Sequence, residues 1–394
     1  MNKRQFFLYF TILLLVFDKG GVLALMPDYA AQLGAPPALV GYYLAFCFLT
    51  LAIGTFVAPA VARRVKDLRP LLIMIGLVKI PVIFLHGQVG DVWQLMALNG
   101  LDWFMGGIVI VIINISVGLT ARANERGRMF GLLAMASSIG EVAGGFLASA
   151  VIGQGGYDRL FAVFSITACV SPVAAFFLAP VSARTAGEPA PALAAKPLSG
   201  LGFDLFVVAL LAAAVMAKTA AFGGTFGMSI AMLAKNSPLA EISLAGALGN
   251  SAGLIVPLVV GWLSDRVGRR SLMVVIYALC IPSLVILIFG SVLGHFALSS
   301  VLRNAYLSGA NTLGPALLTD VVSRDRLPRA LSWWGNSGWI GGIVAFAGMG
   351  NAIQAFGLTA TLTAGVALIV AATLITTWLL AQKTRAPVSG SVTT

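Results

Sequence analysis

Seven charged residues lie deep inside long apolar stretches of the chain: Asp18, Lys19, Lys79, Asp102, Glu141, Lys218 and Arg303. At depth in a bilayer each costs at least roughly 2.5–3.5 kcal/mol, so such residues face a cavity or a partner and are functional candidates by default. The acids Asp18, Asp102 and Glu141 are candidate proton carriers. Glu141 stands beside a run of glycines, where a carboxyl group suits reversible protonation; a neutral, hydrogen-bonded acid fixed in a packing interface is the alternative. Lys218 and Arg303 could attract an anionic or polar small molecule, or hold the acids ionised. Interhelical ion pairs are the alternative for the whole cluster. Asp18 and Lys19 are adjacent and point about 100° apart on a helix, so both cannot face one cavity squarely. Asp18 is the favoured cavity-facing member, with Lys19 pairing or snorkelling outward.

Polar residues accompany these charges. Asn114, Asn250, Asn304, Asn311 and Asn336 fall within apolar stretches, as do Trp103, Tyr306, Trp333, Trp334 and Trp339. Asn304, Ser308 and Asn311 share one helix face at i, i+4, i+7 spacing. That stretch also holds Arg303 and Tyr306 and leads to Gly314-Pro315, where a helix can bend. His86 and His295 lack metal-ligand spacing, and no Gly-x-x-x-x-Gly-Lys-Ser/Thr motif is present. The expectation is therefore no catalytic constellation, no metal, no cofactor, and energy drawn from an ion or substrate gradient.

The elements that must position these residues are membrane spans. Apolar residues make up 59% of the 394 and charged residues only 10%, against roughly 25% charged in a soluble protein. Twelve apolar segments are near the roughly 20 residues needed to cross a bilayer: 5–26, 37–62, 69–88, 92–120, 128–153, 157–181, 202–230, 240–263, 272–290, 294–321, 329–353 and 358–382. Of the 25 basic residues, 19 lie on one set of alternate connections, and Arg159 and Lys235 alone on the other. The positive-inside rule makes the basic side cytoplasmic, with both termini there. The net charge of +11 is thus a topology signal, and nucleic-acid binding is excluded. The apolar run after Met1-Asn-Lys-Arg continues past Asp18-Lys19 to Met26 without a small-residue cleavage site, and reads as a first span, not a signal peptide. Cys47, Cys169 and Cys280 all sit in apolar runs and read as packing residues.

The chain also repeats itself. Gly261-Trp-Leu-Ser-Asp-Arg-Val-Gly-Arg-Arg270 joins two apolar segments, and a worn copy, Pro59-Ala-Val-Ala-Arg-Arg-Val-Lys-Asp-Leu-Arg69, stands about 200 residues earlier. A second echo pairs Asn124-Glu-Arg-Gly-Arg128 with Arg324-Asp-Arg-Leu-Pro-Arg329 at the same offset. Two echoes at one offset imply two related halves, a plan common among transporters. The expected organisation is an N-terminal six-helix half over 1–181, a polar cytoplasmic linker rich in Ala, Pro and Gly over 182–200, a C-terminal half over 201–384, and a disordered tail over 385–394.

On these residues the chain resembles the major facilitator superfamily over essentially its whole length. The family pattern Gly-x-x-x-Asp-Arg-x-Gly-Arg-Arg is matched by Gly261, Asp265, Arg266, Gly268, Arg269 and Arg270, while Arg63 and Lys66 replace its Asp and Gly in the first copy. Gly131, Gly140 and Gly144 follow the spacing of the family's antiporter motif, with Gly145 at its Pro; helix packing through small residues is the plainer reading. The resemblance implies an all-α membrane protein of twelve helices in two pseudo-symmetric halves, in the bacterial inner membrane. It implies that spans 1, 4, 7 and 10 line a central cavity and that Asp265 and its neighbours form part of a cytoplasmic gate. Asp18, Asp102, Lys218 and Arg303 fall in those cavity spans, as do Asn114, Asn304, Tyr306 and Asn311; Lys79, in the third span, would be peripheral. The implied activity is secondary transport of a small organic molecule by a monomer, as proton-coupled export of the drug/proton antiporter type. Organic-anion uptake or exchange is the alternative, and a lipid flippase a weaker one.

Overall fold

A computed structural model describes residues 2–17, 20–122, 125–181, 205–322 and 326–382. Asp18, Lys19, the linker at 182–200 and the tail at 385–394 lie outside the described residues, as does the Asp265 side chain. The described elements are helical, as they must be where a bilayer offers the backbone no hydrogen-bond partners. They are α1 Lys3–Phe17, α2 Met26–Gln32, α3 Pro37–Arg64, α4 Arg69–Leu85, α5 Val92–Thr120, α6 Arg126–Ala168 and α7 Val170–Phe176 in the first half. The second half holds α8 Leu205–Leu233, α9 Leu239–Asn250, α10 Ala252–Val267, α11 Arg269–Phe289, α12 Leu293–Val321 and α13 Leu327–Gln382.

Eight stretches among the described residues are long and apolar enough to cross a membrane. Two of them, Arg128–Phe176 and Arg329–Ala381, run to 49 and 53 residues and are each two spans folded back on themselves. The folds fall at Gly155–Gly156 and at Gly357, where Gly156 takes φ 62° and Gly357 φ 79°. Only glycine adopts such angles without strain. The two remaining spans are the N-terminal one and α12, which carries Ser299, Ser300, Arg303, Asn304, Ser308 and Asn311. The bundle therefore has the twelve spans expected. The first span, expected over 5–26, is not one continuous helix: α1 is described to Phe17, a tight turn covers Gly20–Val22, and α2 starts at Met26. The Gly20-Gly21 pair favours an interruption there over an unbroken helix. The eighth span runs over Leu239–Ser264, with helical backbone angles at Ser251 where α9 meets α10, six residues before Pro257.

The halves repeat with a spacing of 201 residues. α5 and α12 are both 29 residues long and begin 201 positions apart. Pro81 in α4 and Pro282 in α11 keep that spacing, and so do the reversals at Gly156 and Gly357. Asp102 and Arg303 are consequently the eleventh residues of equivalent helices.

One end of the bundle is sealed between the halves. Tyr42 donates to Asn351 Oδ1 at 3.2 Å, and Gln354 Oε1 accepts from the Ala38 amide at 3.2 Å. Gly41 lets α3 and α13 touch, since a Cβ there would stand 2.9 Å from Gly350 Cα. On the other flank Ser243 donates to the Gly145 carbonyl at 3.0 Å and Ser149 to that of Ala240 at 2.8 Å. The larger apolar core runs through both halves and draws on the first half only near this end, through residues such as Leu25, Tyr43, Leu95 and Phe161. A second core, around Tyr9, Ile112, Leu133 and Ala175, belongs to the first half alone. At the opposite end the contacts join elements of one half: Leu68 N donates to Val181 O at 2.9 Å, and Arg269 pairs with Asp320 at 2.8 Å.

Candidate functional site

A cavity of about 500 Å³ lies between the halves. Its walls come from the Gly20–Val22 turn and from α3, α4, α5, α6, α8, α9, α12 and α13. Five ionisable side chains of those expected at depth line it: Lys79, Asp102, Glu141, Lys218 and Arg303.

Lys79 and Asp102 form an ion pair, Nζ to Oδ1 3.1 Å, with side chains 9% and 7% exposed. Lys79 is thus in the cavity wall and not peripheral, contrary to the sequence reading. α4 contains Pro81 and packs along α5, which turns the lysine inward onto the acid. Asn99, three residues before Asp102 and so on the same face, donates its amide to the Tyr43 hydroxyl and to Met26 Sδ.

Arg303 is 1% exposed and has no carboxylate beside it among the described residues. Its Nε donates to Thr225 Oγ1 at 3.1 Å, Nη1 to Ser299 Oγ at 3.5 Å and Nη2 to Ser300 Oγ at 3.3 Å. Lys218 is 3% exposed; its Nζ donates to Ser337 Oγ at 3.0 Å and stands 5.1 Å from the centre of the Trp334 ring. Neutral hydroxyls and an aromatic face replace only part of the hydration that a buried cation loses, a loss of several kcal/mol per ion. Two cations lining one cavity without ion-pair partners among the described residues are a standing attraction for negative charge.

The twofold repeat makes the asymmetry plain. Asp102 in the first half is neutralised by Lys79. In the second half Arg303 occupies the equivalent place, and Cys280 stands 201 positions after Lys79. Where the first half contains its own counter-charge, the second offers a thiol.

Glu141 reaches the cavity from α6 and has no hydrogen-bond or ion-pair partner among the described residues. Its Cβ and Cγ lie against Gly20, where any added side chain would collide with them. Aromatic rings fill the wall between the charges: Phe48 meets Trp103, Phe222, Trp339 and Phe346 at centroid distances of 5.1, 5.2, 6.2 and 4.9 Å. At the sealed end Tyr29 stacks on Tyr157 at 3.9 Å and donates to the His86 carbonyl at 2.6 Å.

Asn304 and Asn311 line the cavity, as do Asn250 and Ser308. Asn114 is not part of that lining and is exposed, although it stands four residues beyond Ile110 and so continues the cavity-facing stripe of Trp103, Gly106 and Ile110 along α5. Tyr306 is also elsewhere, fully buried in α12 with its ring edge-on to Tyr277 at 5.3 Å, because it faces α11 and not the opening. Asp18 lies outside the described residues. Phe48, His86, Asn99, Phe222 and Thr225 line the cavity without having been singled out; Asn99 and Thr225 were recoverable as same-face neighbours of Asp102 and Lys218.

Of the hinge residues, Gly268 takes φ 89° between α10 and α11. Arg269 pairs with Asp320 and donates to the Ala316 carbonyl at 3.2 Å, tying α11 to the end of α12. The Arg266 guanidinium lies 3.9 Å from the centre of the Trp262 ring. In the worn copy Asp67 accepts from the amides of Arg69 and Val181 at 3.0 and 3.3 Å, supplying order without the missing acid.

Twelve spans in two repeated halves around a charged central cavity are the architecture of a two-domain membrane transporter. The sequence matches the Major Facilitator Superfamily over residues 8–301 and 208–393, and the chain belongs to that family. It is an integral, multi-pass membrane transporter of small molecules and not an enzyme. Among curated proteins none matches closely enough to count as a relative. The fold is similar to the crystal structure of the nucleoside transporter NupG, at 14% identity and TM-score 0.74, covering 98% of this chain and 100% of that one. It is similar also to a bacterial homologue of the human lysosomal transporter Spinster in an inward-facing, occupied conformation, at 12% identity and TM-score 0.77, covering 99% and 100%.

Proposed function

We propose that this transporter carries a small organic anion and couples its movement to protons. The single observation behind the reading is that Lys218 and Arg303 are buried in one cavity wall with no carboxylate beside either among the described residues. The Lys79–Asp102 pair leaves that balance unchanged, being neutral as a unit. A negatively charged solute would supply the missing counter-charge. This favours the organic-anion reading over an uncharged or cationic drug.

Glu141 supports the proton half of the reading, since a carboxyl group in the cavity without a partner among the described residues can exchange a proton as the halves rock. Asp18 and Asp102 remain proton candidates from the sequence, with Asp102 held by Lys79 unless that pair breaks. The glycine spacing of span 5 supports export in exchange for protons. With the basic-rich end in the cytoplasm, the sealed end is the outer one and the cavity belongs to an inward-facing state. Asp265, Arg266, Gly268, Arg269 and Arg270 would then belong to the cytoplasmic gate, with Gly261 one span-turn earlier. One chain encloses the whole cavity, which supports a monomer.

A thermal-shift screen of anionic, cationic and neutral ligands tests the substrate class, because a ligand that binds the native state raises its apparent stability. Anions should raise the melting temperature, and the K218Q/R303Q double variant should lose the effect. Stabilisation by cations alone, or an anion response that survives both substitutions, would sink the anion reading. In proteoliposomes an imposed pH gradient should drive counterflow of the anion; flux indifferent to the gradient removes the proton half.

A further inference from the structure

We propose that the transported anion is a dianion, with its two charges at opposite ends of an apolar or aromatic middle. The inference rests on the organic-anion reading above and goes further by fixing the number and spacing of the charges.

The spacing comes from α8. Lys218, Phe222 and Thr225 lie at i, i+4 and i+7, on one face of that helix, and all three line the cavity. Thr225 is the residue that accepts from Arg303 Nε. The lysine and the anchor point of the arginine are thus two helical turns apart, about 10 Å along the axis. Between them stands Phe222, packed edge-on against Phe48 at 5.2 Å, and Trp339 also meets Phe48 edge-on at 6.2 Å. The wall reads cation, aromatic, cation.

A monoanion can satisfy one end of this strip and leaves the other cation buried and uncompensated. A short dianion can reach only one end. A dianion whose charges stand about two helical turns apart satisfies both. At the Arg303 end the hydroxyls of Thr225, Ser299 and Ser300 already orient the guanidinium. At the Lys218 end Ser337 and the Trp334 ring hold the ammonium group. Among the described residues no other charge pairs with these cations: Lys79 and Asp102 are paired with each other, and Glu141 approaches from α6 beside Gly20. The second half, with Cys280 where the first has Lys79, is the half that lacks an internal pair, and the substrate completes it.

The experiment titrates the purified full-length protein with succinate, adipate, suberate and sebacate, and with octanoate as the single-charge match to suberate. Affinity should pass through an optimum near suberate and be about tenfold or more tighter there than for succinate or octanoate, the scale of one buried charge pair. K218Q and R303Q should each bring suberate down to about the affinity of octanoate, and the double variant should lose both ligands. Octanoate binding as tightly as suberate to the unaltered protein overturns the dianion inference. If the double variant then abolishes octanoate binding, the organic-anion reading still stands. If no carboxylate binds, or both variants leave every affinity unchanged, the organic-anion reading fails and takes this inference with it. The length series on the unaltered protein decides the case even where a variant does not fold.

Discussion

Lys79 and Asp102 show how one ion pair can make two charges quiet. Their 3.1 Å contact neutralises both in a place where either alone would be expensive. D102N should therefore destabilise the protein by about 3–5 kcal/mol, because it strands the lysine charge. The double variant K79M/D102N should recover most of that loss, read as the melting temperature in detergent. A single D102N that melts like the parent would mean the pair is not the stable arrangement. Glu141 has the opposite character, with no partner among the described residues. E141Q should keep anion binding and abolish uptake driven by a pH gradient, measured by dye-monitored proton flux in proteoliposomes. Retained gradient-driven flux would move the proton to another acid.

At the scale of elements, two glycines turn four spans into two hairpins. Gly156 at φ 62° and Gly357 at φ 79° stand 201 residues apart and do the same work in each half. An alanine at either place must enter a region that L residues avoid, at about 1–3 kcal/mol. G156A and G357A should lower stability by similar amounts, and denaturation curves of the two variants check this; a neutral G357A would mean that its reversal is not held by backbone conformation. The broken first span is a different kind of element. Its turn at Gly20–Val22 lies against α6 at Glu141, so the interruption places backbone beside the unpaired acid.

At the scale of the whole molecule, the halves meet at one end and part around the cavity. Tyr42 and Asn351 lie across the sealed seam, hydrogen-bonded at 3.2 Å. A short crosslink between cysteines at these two positions, with the native Cys169 replaced because it is exposed, should hold that end shut. Net transport should stop, while binding from the basic-rich side persists. Transport that continues through the crosslinked protein would contradict rocking of one half on the other. The same seam carries Gly145 and Ser149, so the glycine-rich face of span 5 serves the closure of the halves whatever its part in proton exchange.

Composition, span count, repeat and family were legible in the chain because they depend on local quantities. Apolar length sets a span, and a motif met twice sets two halves. Asp102, Glu141, Lys218 and Arg303 could be picked out for the same reason: a charge within an apolar run is anomalous before any contact is known. Their partners were not legible. Lys79 looked peripheral until α4 packed on α5 and put it 3.1 Å from Asp102. Tyr306 looked suited to the cavity until helix rotation turned it into the core against Tyr277. Rotation of each helix is decided by packing against its neighbours, which no single stretch of sequence contains. That is why the chain itself named the charges, and only the folded bundle showed Lys79 and Asp102 cancelling each other while Lys218 and Arg303 face the cavity together.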